Sequence, residues 1–184
     1  MKKCLALLLC ILLCAGGAFA AKKSDSEIRL YSQEITSAIR NFLVDDDWKF
    51  QFDEKDGIFR FGMSIGGKMK SVACRVLIRD DSYTSYAVSP INADPDDAEM
   101  MKNVAEFVCR ANYGIKNGNF ELDMRDGELR YKVHVDCSGG IPALSVIKNS
   151  VYVPSVAMER YAPGFLDIIF AGKSAAEAIK KCEN

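Results

Sequence analysis

The side chains able to do chemistry are few and scattered. The only histidine, His134, stands on the polar side of an alternating run, "GELRYKVHVD", and no local motif sets a serine or cysteine beside it. A lone histidine so placed is a solvated surface residue, because base catalysis needs a nucleophile within hydrogen-bond reach. "SVIK", Ser145 to Lys148, matches the acylating S-x-x-K pattern. The S-D-N and K-T-G elements that accompany that pattern are missing, so the four residues read as helix surface. "DEKDGIF" and "LDMRDGE" bring carboxylates close together, but Arg125 sits at the third place counted from Asp123. A calcium loop needs an oxygen ligand there and a bidentate glutamate at the twelfth, so both stretches read as hairpin turns. Asp45-Asp46-Asp47 reads as a solvated loop, and neither common glycine-rich phosphate loop is present. The sequence therefore assigns no catalytic, cofactor-binding or metal-ligating residue, and it implies no cofactor.

The seven cysteines divide by position: three precede residue 20, and Cys74, Cys109, Cys137 and Cys182 follow. The chain opens "MKKCLALLLCILLCAGGAFAAKK", with Lys2 and Lys3 ahead of an apolar run and the small-x-small triplet Ala18-Phe19-Ala20. This is the pattern of a bacterial secretory signal, cut between Ala20 and Ala21. The run is shorter than the ~20 apolar residues of a spanning helix, which counts against a retained anchor. A lipoprotein signal is disfavoured by the bulky Leu9 and Leu13 ahead of Cys10 and Cys14. Residues 1–20 are thus expected to be a signal peptide, and residues 21–184 one extracytoplasmic domain, periplasmic or released. Losing Lys2 and Lys3 leaves 22 of the 24 basic residues against 25 acidic ones, a net charge of −3. No basic patch stands out, so nucleic acid is not an expected partner, and no second apolar segment is long enough to span a membrane.

Four cysteines in an oxidising compartment allow three pairings. Their wide spacing lacks the C-x-x-C of a zinc site. Cys109 lies near the end of a helix whose following hairpin should fold Cys137 back toward it. The sequence therefore favours Cys109–Cys137, leaving Cys74–Cys182.

Periodicity supplies the elements that must carry these residues. Apolar residues at helical spacing run from Ser26 to Val44. "WKFQF" and "GIFRFGMSI" alternate around an Asp56-Gly57 turn; "SVACRVLIR" and "SYTSYAVS" continue an antiparallel meander. "NADPDDAEM" opens a helix with Asp94 as N-cap and Pro95 at the first position, ended by Gly114. A hairpin follows, "GNFELDM" and "GELRYKVHVD", turning at Asp126-Gly127. Further helices are expected to break at Pro154 and again at Pro163-Gly164, and a capping box at Ser174 to Glu177 starts the last one. Strands in one run with helices packed on them make an α+β domain, a twisted antiparallel sheet of meander plus hairpin flanked by helices.

"RANYGIKNGNFELDMRDGELRYKV" resembles the central signature of the YbjN family of bacterial sensory-transduction regulators. "ERYAPGFLDIIFAGKSAAEAI" is similar to that family's C-terminal segment, and "LVDDDWKFQFDEKDGIFRF" to its opening. The resemblance implies a fold like that of type III secretion chaperones, often dimeric, and no known reaction. The expectation is a non-catalytic, exported, chaperone-like module that binds a polypeptide client and forms a homodimer. The alternative is an enzyme or small-ligand protein whose carboxylates meet only in three dimensions.

Overall fold

A computed structural model describes residues 30–183; the expected signal peptide and the Ala20–Ala21 cleavage point lie outside them. Among the described residues four helices and six strands follow the order α1 (Gln33–Asp45), β1 (Gln51–Asp53), β2 (Ile58–Ser64), β3 (Ser71–Ile78), β4 (Ser82–Val88), α2 (Ala98–Gly114), β5 (Asn119–Leu122), β6 (Leu129–Asp136), α3 (Leu144–Ala171) and α4 (Ala175–Glu183). All strand pairs are antiparallel, in the order β1-β2-β3-β4-β6-β5. The fold is α+β, as the alternation in the sequence requires.

One face of the sheet is apolar and the other is wet, because side chains alternate along each strand. Phe59, Phe61, Val72, Cys74, Val76, Tyr83, Ala87, Leu129, Tyr131 and Val133 are buried on the inner face. α3 lies across β3, β4 and β6 on that face, and α2 and α4 pack on α3 and on each other. Phe107, Phe120, Tyr131, Tyr161 and Phe165 form one aromatic cluster where α2, α3 and the second hairpin meet, with Phe107–Phe165 at 4.6 Å and Phe120–Tyr131 at 4.8 Å between ring centroids. The outer face carries Arg60, Arg75, Tyr86 and Lys132 in one cross-strand row.

Three helix boundaries differ from their expected places. α1 starts at Gln33, not Ser26, because Ser32 is its N-cap: its Oγ accepts from the Ile35 N–H at 3.2 Å. Ser32 is also pinned to the sheet by its N–H, which donates to the Arg79 carbonyl at 3.0 Å. α2 is capped by Asp97, whose carboxylate accepts from the N–H groups of Glu99 and Met100. Asp94 instead accepts from the Asp96 N–H, closing a turn ahead of the helix that contains Pro95. α3 is one helix of 28 residues that runs through both Pro154 and Pro163. A proline inside a helix costs about 3 kcal/mol. The stripe Ile147, Val151, Pro154, Met158, Tyr161, Phe165 and Ile168 is buried throughout, and Pro154 is itself part of it. Burying each such side chain contributes roughly 1.5–3 kcal/mol, so packing outweighs both breaks. α3 ends at Gly172 in the left-handed region, φ 60°, with its N–H bonded to the Ile168 carbonyl. The capping box of α4 forms as expected: the Glu177 N–H donates to Ser174 Oγ at 3.4 Å, and the Ser174 N–H donates to Glu177 Oε2 at 3.2 Å.

Candidate binding groove and sheet edges

The sheet has two edges, β1 and β5, and each belongs to a hairpin built on the same five-residue turn. In "DEKDG" the Gly57 N–H donates to the Asp53 carbonyl at 2.9 Å; in "DMRDG" the Gly127 N–H donates to the Asp123 carbonyl at 2.9 Å. In both, the leading aspartate takes N–H groups of its own turn on its side chain. Both glycines have positive φ, 68° and 71°. A Cβ at Gly127 would collide with the Ala93 carbonyl, so that position tolerates only glycine. The carboxylates of "LDMRDGE" and "DEKDGIF" are thus committed to turns. Asp123 is held at a pKa of about 2, chiefly by the Arg125 side chain donating to it.

The β5 edge is closed by a side chain. Phe120 faces Tyr131, and its backbone groups point away from β6. Asn112, in the last turn of α2, takes both: its Oδ1 accepts from the Phe120 N–H at 2.7 Å, and its Nδ2 donates to the Phe120 carbonyl at 3.1 Å. An edge strand with free backbone groups is a template for another chain, and an asparagine amide can occupy one residue's worth of it. The expected left-handed stop at Gly114 is not used. Gly114 is the last helical residue, and the positive φ of 86° falls at Gly118, which packs against the β6 backbone and Tyr131. Gly118 is needed so that the chain can turn close enough for Asn112 to reach Phe120.

A groove of about 640 Å³ opens beside the second half of α3. One wall is the loop Gly66–Lys68, tied down where the Gly66 N–H donates to Glu159 Oε1 at 3.0 Å. The floor is Ile91, Ala162, Pro163, Leu166 and Phe170. Phe170 is 71% exposed, unusual for a phenylalanine on an ordered helix. The groove acids are already engaged. Asp167 accepts from Lys181 and Lys173, both at 3.0 Å, and these bonds hold its carboxyl below its ordinary range. Pro163, Leu166 and Phe170 form a second apolar stripe at helical spacing, beside the buried one. The signal for it is that "APGFLDIIF" is apolar nearly all round, a pattern that by itself assigns the whole stretch to core.

Other sequence candidates remain apart. His134 is exposed on β6, with Nδ1 3.0 Å from Thr84 Oγ1. Ser145 and Lys148 lie on the solvent side of α3, and Lys148 reaches Asp46 at 3.4 Å. Asp46 also accepts from the Tyr152 hydroxyl at 2.6 Å, which holds its carboxyl low, so part of the Asp45–Asp47 run anchors α1 to α3. Among the described residues no group of three or more histidines, cysteines or acids is placed to hold a metal ion, and no helix is long and apolar enough to cross a membrane.

All four described cysteines are free thiols, so neither Cys109–Cys137 nor Cys74–Cys182 is bonded. Each has its own surroundings. Cys109 points to solvent from α2, whereas Cys137 is buried beyond β6. Cys74 Sγ lies 3.4 Å from Ser155 Oγ, and burial pushes its pKa up to about 11. Cys182 Sγ donates to carbonyls of Tyr161 and Ala178. Cys137 is held beside the β3–β4 turn by its N–H donating to the Asp81 carbonyl at 2.7 Å, while Cys109 lies outside the buried stripe of α2, Met101, Val104, Phe107 and Ala111.

The family described as "YbjN: Putative bacterial sensory transduction regulator" matches residues 36–165. The chain belongs to the YbjN family. The crystal structure of YbjN from E. coli, described as "a putative transcription regulator", superposes with a TM-score of 0.50 at 12% identity, covering 69% of this chain and 90% of that one. At that identity the likeness is one of fold. No curated protein matches the chain significantly. The match begins inside α1 and ends inside α3, so it takes in both edge hairpins and Asn112 but stops before Phe170.

Proposed function

We propose that this member of the YbjN family is an exported, non-catalytic binding module that holds an apolar polypeptide segment in the groove beside α3. The carrying observation is Phe170, 71% exposed in an apolar lining it shares with Ile91, Pro163 and Leu166. An exposed apolar surface of this kind marks a place where another molecule docks. The ends of the groove select the occupant. Asp167 and Glu159 are spent on Lys181, Lys173 and the Gly66 N–H, which leaves Lys68 as the rim charge without a partner among the described residues. A segment with two or three large apolar side chains and an acidic neighbour fits that arrangement. The engaged acids also speak against the carboxylate-site alternative, because a general acid or base needs a free group with a shifted pKa near neutrality. Export is supported by the N-terminal sequence and places the client outside the cytoplasm.

The test is a photo-crosslinking amino acid at Phe170, expressed in the native host. Discrete protein adducts from the extracytoplasmic fraction, lost when Leu166→Asp is added, are expected. A small metabolite retained by the native protein in mass spectrometry, with no protein adduct, would refute the reading. Export is checked separately: the extracytoplasmic protein should begin at Ala21.

A further inference from the structure

The two edge hairpins share a turn but not a finish. Phe52 faces Phe59 as Phe120 faces Tyr131, each shortly before the same D-x-x-D-G turn. Its N–H and C=O therefore point away from β2, as those of Phe120 point away from β6. At β5 Asn112 takes them; at β1 no side chain among the described residues does. The Phe50 and Phe52 rings both pack on Phe59, at 5.4 and 4.4 Å, so the alternation continues back through Phe50. Lys49 and Gln51 are exposed on the opposite face, and Phe50 and Phe52 are half-buried.

We infer that β1 is the interface for a second copy of this chain, paired antiparallel about a two-fold axis at Gln51. The segment Lys49-Phe50-Gln51-Phe52-Asp53 is its own complement in that arrangement. Each Phe52 meets the partner's Phe50 and exchanges both backbone bonds with it, as directly opposed residues of an antiparallel pair do. Lys49 meets the partner's Asp53, which keeps its turn N–H bonds on Oδ1 and its 3.7 Å contact with Arg60 on Oδ2, so the partner's ammonium joins an ion pair already present; Gln51 meets the partner's Gln51, and the aromatic rings of the two copies stack across the seam on the face beside α1. Opposite charges and aromatic pairs directly across two strands are the contacts that set register. The two six-stranded sheets then run on as one. An unrelated extended client would gain the backbone bonds but not this matched charge at both ends.

Sedimentation equilibrium and a cysteine scan test the inference. The purified protein should be a dimer. Lys49→Glu, at an exposed residue without a partner among the described residues, should weaken the dimer about tenfold or more by setting like charges opposite each other at both ends. In a Cys109→Ser background, Gln51→Cys should oxidise to a covalent dimer. Opposed residues at a non-hydrogen-bonded site are about 4.5 Å apart between Cα atoms, which is within disulfide reach. Ala73→Cys, exposed two strands inward, is the control and should stay monomeric on a non-reducing gel. A monomer at every concentration overturns the inference. So does a dimer that Lys49→Glu leaves unchanged, or one in which Gln51→Cys crosslinks no faster than Ala73→Cys.

Discussion

Asn112→Ala removes the plug of the β5 edge without touching the sheet ladder. The wild-type amide makes two hydrogen bonds, 2.7 and 3.1 Å, to one residue's backbone. A neutral hydrogen bond contributes about 1 kcal/mol net. Water can reach part of an edge, so the loss should be about 1–2 kcal/mol, or roughly 2–8 °C in Tm for a domain of this size. Asn112→Asp separates the plug from mere packing. Its carboxylate still accepts from the Phe120 N–H but points a second oxygen at the Phe120 carbonyl. At pH 7 it should be at least as damaging as alanine. The charged form is disfavoured only in the folded state, so the folded pKa of the introduced carboxyl is raised above its unfolded value. The stabilising contact of the protonated acid is then present below the unfolded carboxyl range and lost as pH rises through the folded pKa. The measurement is urea denaturation of the three proteins between pH 3.5 and 7, with the variants compared to wild type at each pH. If alanine costs less than about 0.3 kcal/mol, or the aspartate variant shows no recovery relative to wild type at low pH, the plug reasoning fails.

Gly127→Ala should destabilise by about 2–3 kcal/mol, from positive φ and the collision with Ala93, and Gly114→Ala should be neutral or stabilising by up to about 1 kcal/mol, both read by denaturation. The Asp123 carboxyl should titrate near pH 2 by NMR and move up toward the ordinary range in Arg125→Ala. Because the folded pKa is depressed, whatever the contact adds is present above the unfolded carboxyl range and lost as pH falls through about 2. On the chain from Ala21, a thiol reagent should titrate one cysteine rapidly, Cys109, and reach Cys74, Cys137 and Cys182 only on unfolding. Fast reaction of a second thiol would show that the buried three are not where the fold puts them.

The sequence by itself determined the strands, their alternation and the two glycine turns, because a period of two and a positive φ leave marks on single residues. It also carried the YbjN signature and the capping box at Ser174. It could not place helix starts among Asp94, Asp96 and Asp97, since any of the three can cap and only the incoming path of the chain selects one. It broke α3 at Pro154 and Pro163, because a local cost is visible in sequence and the burial that outweighs it is not. The role of Asn112 and the groove beside Phe170 came from the tertiary structure alone. Each depends on which residues distant in the chain are brought within a few ångströms, and that distance is set by the packing of whole helices on the sheet.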